Sequence, residues 1–207
     1  MHHPKVCPYM DLPLQHVDHD VLAAMGRGGG ADVFMALIDR IRSEFEEVAL
    51  RSTFMVGFPG EDQDSFNRLY NFVSEARFDW LGLFRYSQEE GTPAFSFDAG
   101  VPASLAAKRL QALLELQEEI MRERAYEQVG KSFRVLVEGE SPEAPGYWEA
   151  RSWREAPQVD GVVFIVDDVR LQPGIWCEVE ISSIEGIDLI GSIKAHEKRR
   201  TDRKGGR

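Results

Sequence analysis

The chain has 207 residues, with 24 Lys and Arg against 35 Asp and Glu, a formal net charge of −11, and two cysteines. That length suffices for one or two domains with a real hydrophobic core, and the acidity argues against a general nucleic-acid binder, because a phosphate backbone demands a basic surface. Cys7 and Cys177 are too few and too far apart for a metal site held by this chain alone, since a zinc or iron–sulfur site takes about three or four ligands at close spacing.

Nothing in the sequence points to a disulfide between them. The charge is uneven. Residues 194–207 hold seven basic and two acidic residues, a tail of +5, which leaves −16 on the other 193. No secretory signal is evident and no apolar run approaches the ~20 residues that span a bilayer, so the expected setting is a reducing cytoplasm without membrane contact.

Residues 1–128 read as alternating strands and helices. Tyr9 to Gln15 (YMDLPLQ) predicts a strand, and residues 31–48 carry Val33, Phe34, Leu37, Ile38, Ile41 and Phe45 at helical spacing. Leu50 to Val56 (LRSTFMV) predicts a second strand ending at Gly57, and residues 62–76 a second helix through Phe66, Leu69, Tyr70 and Val73. Residues 80–86 (WLGLFRY) predict a third strand. Residues 102–129 predict a long helix with Leu105, Leu110, Leu113, Leu116 and Ile120 on one side and Pro102 in its first turn. After Gly130 the pattern changes to short strand-like runs at 133–137, 162–166, 176–181 and 189–194, separated by Pro and Gly turns. That predicts a small all-β barrel or sandwich. The expected division is residues 1–129, residues 130–195, and a basic disordered tail at 196–207. Three strand–helix units cannot close a barrel, so the first part reads as a piece from inside a larger one with open sheet edges.

Ligands of parallel α/β sheets gather at the C-terminal ends of strands. If Met10, Leu12 and Leu14 pack outward on helices, Asp11 and Gln15 face inward. Gln15, nearer the strand end, is a stronger candidate for a ligand contact than Asp11, the alternative being that both only satisfy neighbouring backbone. On the second strand Arg51 and Thr53 share the inward face. The planar fork of Arg51 suits a ligand carboxylate, or alternatively a salt bridge to a neighbouring acid such as Asp11. Gly57-Phe58-Pro59-Gly60-Glu61 forms a tight loop that either lets backbone approach a ligand or is simply a turn. Tyr86, Ser87 and Glu89 either line the mouth of a site or sit in a solvated loop, and Gly82 suggests close approach within the sheet. Arg151 and Arg154, interleaved with Trp148 and Trp153, have the residue types of a nucleic-acid surface, or are strand packing. Residues 130–193 hold five basic and twelve acidic residues, a field that steers a basic protein rather than RNA.

The segments YMDLPLQH (9–16), LRSTFMVGFPGE (50–61) and LFRYSQEEGTPA (83–94) resemble the radical S-adenosylmethionine methylthiotransferases. REAPQVDGVVFI (154–165), the Pro173-Gly174 turn and DLIG (188–191) resemble the TRAM barrel that ends those enzymes. The likeness runs from about residue 4 to 195. The fold it implies is α/β: the C-terminal half of a partial (β/α)6 radical barrel followed by an OB-like TRAM barrel. DLPLQH, and Ser52-Thr53 before Phe54, are closer to the members that modify an aspartate on a small-subunit ribosomal protein than to those that modify transfer RNA.

By that resemblance the cofactors are S-adenosylmethionine and [4Fe–4S] clusters. The family's cluster ligands, a CxxxCxxC segment and three further cysteines, lie upstream of the matching region and are absent here. The implied metal ligands in this chain are therefore none, its coding unit reads as truncated, split or misannotated at the start, and the chain is not expected to be active alone. Gln15, Arg51, Thr53, Gly57, Phe58, Pro59, Gly60 and Glu61 are the candidates for the cofactor wall, with Tyr86 and Glu89 nearer the substrate. The partner implied is a basic ribosomal protein, free or on the ribosome. Two alternatives are a non-enzymatic module that docks its acidic barrel on a basic ribosomal protein, and part of a transfer-RNA methylthiotransferase supported by the basic tail.

Overall fold

The computed structural model describes residues 3, 5–97, 100–166 and 171–194, so the tail from 196 lies outside the described residues. The chain forms two compact units: residues 1–127 with 153–161, and residues 128–152 with 162–207.

In the first unit the order is β1 (Tyr9–Gln15), α1 (His19–Ala24), α2 (Ala31–Glu44), β2 (Ala49–Val56), α3 (Gln63–Ala76), β3 (Trp80–Arg85) and α4 (Ala103–Tyr126). The strands make a parallel sheet with β2 in the centre. Side chains alternate as the sequence predicts. Leu50, Ser52, Phe54 and Val56 are buried towards the helices, while Arg51, Thr53 and Met55 are half-buried on the other face. Phe54 meets Phe72 of α3 and Phe78 edge-on, with ring centroids 6.1 and 5.9 Å apart. Edge-to-face contact of this kind adds about 0.5–1.5 kcal/mol per pair beyond the area buried. Leu113 and Ile120 of α4 close this core.

The helix ends follow local chemistry. Asp62 caps α3, accepting from the Ser65 amide at 2.7 Å, while the Ser65 hydroxyl accepts from the Asp62 amide at 2.8 Å, a reciprocal capping box. Asp18 caps α1, a six-residue helix that the sequence reading did not separate from the loop. Pro102 precedes α4 as its cap rather than entering the first turn. Val33 and Leu37 of α2 are 63% and 41% exposed, so the buried stripe of that helix is narrower than its apolar spacing suggests.

The second unit is a closed barrel in the order β4–β5–β6–β8–β7, with β4 (Ser132–Glu140), β5 (Trp148–Arg151), β6 (Val163–Ile165), β7 (Trp176–Glu185) and β8 (Asp188–Ile193). β6 and β8 run parallel and the other neighbours antiparallel. β5 is absent from the strands that the sequence pattern predicts. It is four residues long, and its Trp-Glu-Ala-Arg composition hides a strand held by pairing on both sides. Closure leaves no sheet edge to template association.

Candidate functional site

The inner face of the parallel sheet carries a charged cluster at the start of the strands. Arg51 pairs with Asp11 at 2.9 Å and with Asp160 at 3.5 Å. The Tyr9 hydroxyl donates to Asp160 at 2.7 Å, and the Ala156 amide donates to the same oxygen at 2.9 Å. Asp160 comes from residues 153–161, the connection from β5 to β6, which packs as part of the first unit. Burial pushes the Asp160 carboxyl above the usual carboxylate range. Burial, with Asp160 as hydrogen-bond partner and neighbouring anion, pushes the Tyr9 phenol up as well. Gly82 leaves room for this arrangement: a Cβ there would sit 3.2 Å from Thr53 Oγ1 and 3.5 Å from Arg51 Nη2. The fork of Arg51 is thus already engaged by two carboxylates of the chain.

The other end of the strands holds a cavity of about 490 Å³ lined by Gln15, Met55, Phe58, Tyr86, Ser87 and Glu89, together with residues 23–27. Gln15 sits at the end of β1 with φ +70°, after a shift in the β1–β2 register. The rings of Phe58 and Tyr86 meet edge-on at 5.0 Å. The Tyr86 hydroxyl is buried without a hydrogen-bond partner among the described residues. A second cavity of about 520 Å³ shares Tyr86 and Ser87 and adds Gly57, Arg85 and Gln88. Of the sequence candidates, the first cavity gathers Gln15, Phe58, Tyr86 and Glu89. Arg51 and Thr53 share the face of β2 that carries Met55 but sit nearer the start of the strand and do not line the cavity, and Gly60 and Glu61 line a third depression beside Arg109.

Glu61 is the anchor of the loop after β2. Its fully buried carboxylate accepts from the Gly57 amide at 2.9 Å and pairs with Arg109 of α4 at 2.6 Å. His16 Nε2 stands 3.6 Å from the same carboxylate. Gly57 has φ +79°, and a Cβ would come within 2.7 Å of the Ala106 methyl, so glycine is needed both for the turn and for the close approach of α4. His16, Arg109 and Asp160 were not singled out from the sequence. For Arg109 a signal existed: it is four residues from both Leu105 and Leu113, on the apolar stripe of α4, and is 3% exposed. A buried arginine on such a stripe has a carboxylate partner.

In the barrel, Arg151 pairs with Glu138 at 2.6 Å and Trp148 pairs across β5 and β6 with Ile165. Arg154 is buried and bound to Asp79. Both arginines are thus paired with carboxylates. Among the described residues no group of three or more His, Cys, Asp or Glu could hold a metal ion, and both cysteines are free. No helix among the described residues is long and apolar enough to cross a membrane.

Residues 129–193 match the TRAM domain family. The chain is 39% identical over 193 residues to the ribosomal protein uS12 methylthiotransferase RimO of Koribacter versatilis, covering 92% of this chain and 38% of that protein. It is 43% identical to the RimO proteins of Heliobacterium modesticaldum (91% and 40% covered) and Thermosynechococcus vestitus (93% and 42% covered). Over nine tenths of its length the chain is thus similar to part of these methylthiotransferases. It spans about two fifths of the length of the curated relatives it matches. A solved structure, coproporphyrinogen III oxidase (HemN) from Escherichia coli, described as a radical SAM enzyme, overlaps 57% of this chain and 27% of its own at a TM-score of 0.42 and 17% identity. These similarities agree with the resemblance drawn from the DLPLQH, GFPGE and RYSQEEGTP segments. They also agree with the order expected from the sequence, an α/β part followed by a small β-barrel.

Proposed function

We propose that this chain supplies the last three strand–helix units of a radical S-adenosylmethionine barrel, residues 1–129, and the TRAM module, residues 130–195, of a methylthiotransferase acting on an aspartate of ribosomal protein uS12 in the cytoplasm. The observation that carries this reading is the identity of about 40% to uS12 methylthiotransferases, sustained across nine tenths of the chain. The cavity supports it, because it opens where parallel strands end, the place where α/β sheets bind ligands.

The residues present suit a nucleoside cofactor. Phe58 and Tyr86 offer aromatic surface, Gln15 offers an amide, and the buried Tyr86 hydroxyl has an unused donor. In this reading Gln15 and the Phe58–Pro59 turn wall the cofactor, Gly57 and Gly60 give the loop its shape, and Glu61 holds it. Arg51 and Thr53 stiffen the sheet beneath. Tyr86 and Glu89 face the substrate. Bound S-adenosylmethionine would supply the methyl group and, on reductive cleavage, hydrogen-abstracting chemistry. The described residues do not fit a [4Fe–4S] cluster, so in this reading the ligands come from elsewhere in the full-length enzyme. The acidic second unit suits a basic ribosomal protein as substrate.

The test is reconstitution. The chain is co-expressed anaerobically with the preceding region of the Heliobacterium relative, and uS12 is examined by mass spectrometry. The expected result is a methylthio group on one aspartate, and none with either part alone. A mixture that assembles, carries iron and leaves uS12 unmodified would overturn the reading.

A further inference from the structure

We infer that His16 is a positioning residue that ties the end of β1 to the glycine loop after β2, so that Gln15 and Phe58 form one wall of the cavity. His16 is 0% exposed. Its Nδ1 accepts a hydrogen bond from the Asp18 amide at 3.0 Å. A ring nitrogen that accepts carries no proton, so in the neutral ring the proton sits on Nε2. Nε2 makes no hydrogen bond among the described residues, and the carboxylate of Glu61 is 3.6 Å away.

The N–H of a neutral ring therefore lies close to a buried carboxylate, 3.6 Å away, where electrostatic attraction is weakly screened. Glu61 transmits the tie, because the oxygen facing His16 is the one that accepts from the Gly57 amide. Arg109 binds the other oxygen and neutralises the charge. The result is a chain of contacts from Asp18, through His16 and Glu61, to Gly57 and α4. It links the end of β1, which carries Gln15, to the loop that carries Phe58. Its consequence for cofactor binding rests on the reading of the cavity proposed above.

The experiment uses the full chain with His16→Phe, which keeps a ring without a donor, and His16→Gln, which restores an N–H. Amide hydrogen exchange at Gly57 is measured against β3 and α4 amides, and S-adenosylhomocysteine is titrated by calorimetry. His16→Phe is expected to speed Gly57 exchange about fivefold with little change in β3 and α4, and His16→Gln to recover most of the protection. Affinity for S-adenosylhomocysteine should fall and recover in parallel. Unchanged Gly57 exchange in His16→Phe, equal acceleration of every core amide, or no recovery in His16→Gln would overturn the positioning role. Wild-type protein that fails to bind S-adenosylhomocysteine overturns the cofactor reading of the cavity, while the exchange data still decide the tie.

Discussion

Arg154 donates to the Asp79 carboxylate at 3.1 Å, although the two are 75 positions apart and Arg154 lies in a connection between barrel strands. The same connection accepts a hydrogen bond from the Trp80 indole at the Arg154 carbonyl, 2.6 Å away, and sends Asp160 to Tyr9 and Arg51. Residues 153–161 thus form a strap across the start of the parallel strands, and the first unit is incomplete without them.

A polypeptide of residues 1–129 is therefore expected to fold poorly. It would lack every strap contact to Tyr9, Arg51, Asp79 and Trp80. Near-UV circular dichroism should show loss of fixed tertiary packing, and tryptophan emission should shift to the red. A sharp, native-like thermal transition for that polypeptide would refute the strap's role. In the full chain, Asp79→Ala should cost about 3–5 kcal/mol in urea unfolding, because it removes the carboxylate that pairs with buried Arg154 and orphans the Leu50 amide that donates to Asp79 at 2.9 Å.

Glu61 and Arg109 should behave as a coupled pair. Both side chains are almost fully buried at 2.6 Å. Arg109→Met or Glu61→Gln alone is expected to cost about 3–5 kcal/mol, since each leaves one polar partner stranded. The double substitution should cost clearly less than the two added together, a coupling that a double-mutant cycle by urea unfolding reads directly. Additive losses would show that the pair does not act as a unit.

Gly57→Ala should destabilise by about 1–3 kcal/mol, from the left-handed backbone alone, with further cost from the Ala106 methyl 2.7 Å from the new Cβ. Adding Ala106→Gly relieves the contact but not the backbone strain. The pair should therefore recover only part of the loss in thermal unfolding, after correction for the glycine placed in α4.

Asp18 gives a pH signature. Although partial burial opposes it, hydrogen bonds from the Val21 amide and Arg68 hold this carboxyl below the usual range. A carboxyl with a lowered value in the folded state binds its proton less readily than in the unfolded chain. Its stabilisation is full above the ordinary carboxylate range and disappears as pH falls through the lowered value. Asp18→Ala should cost about 1 kcal/mol or more near neutral pH, as loss of a helix cap does, and the difference from wild type should shrink in strong acid. A pH-independent difference would count against the carboxylate as its source.

Local sequence pattern was enough for the three strands and three longer helices of the first unit, their faces, and the family resemblance, but not for the short helix α1. A period of two in DLPLQ and LRSTFMV, and of 3.6 in the helices, follows from backbone geometry, so local spacing suffices to place Met10, Phe54 or Leu113. It also located the strand-end residues that line the cavity, because ligands collect where parallel strands stop. Only the tertiary structure decided the partners. Arg51 could be assigned to an inward face, but its engagement with Asp160, 109 positions along the chain, depends on how residues 153–161 return to the sheet. His16, Glu61 and Arg109 lie on three different elements and meet only when β1, the β2 loop and α4 pack. Long-range electrostatic pairs carry no periodic signature, since the energy that selects them arises from exclusion of water after the core has formed.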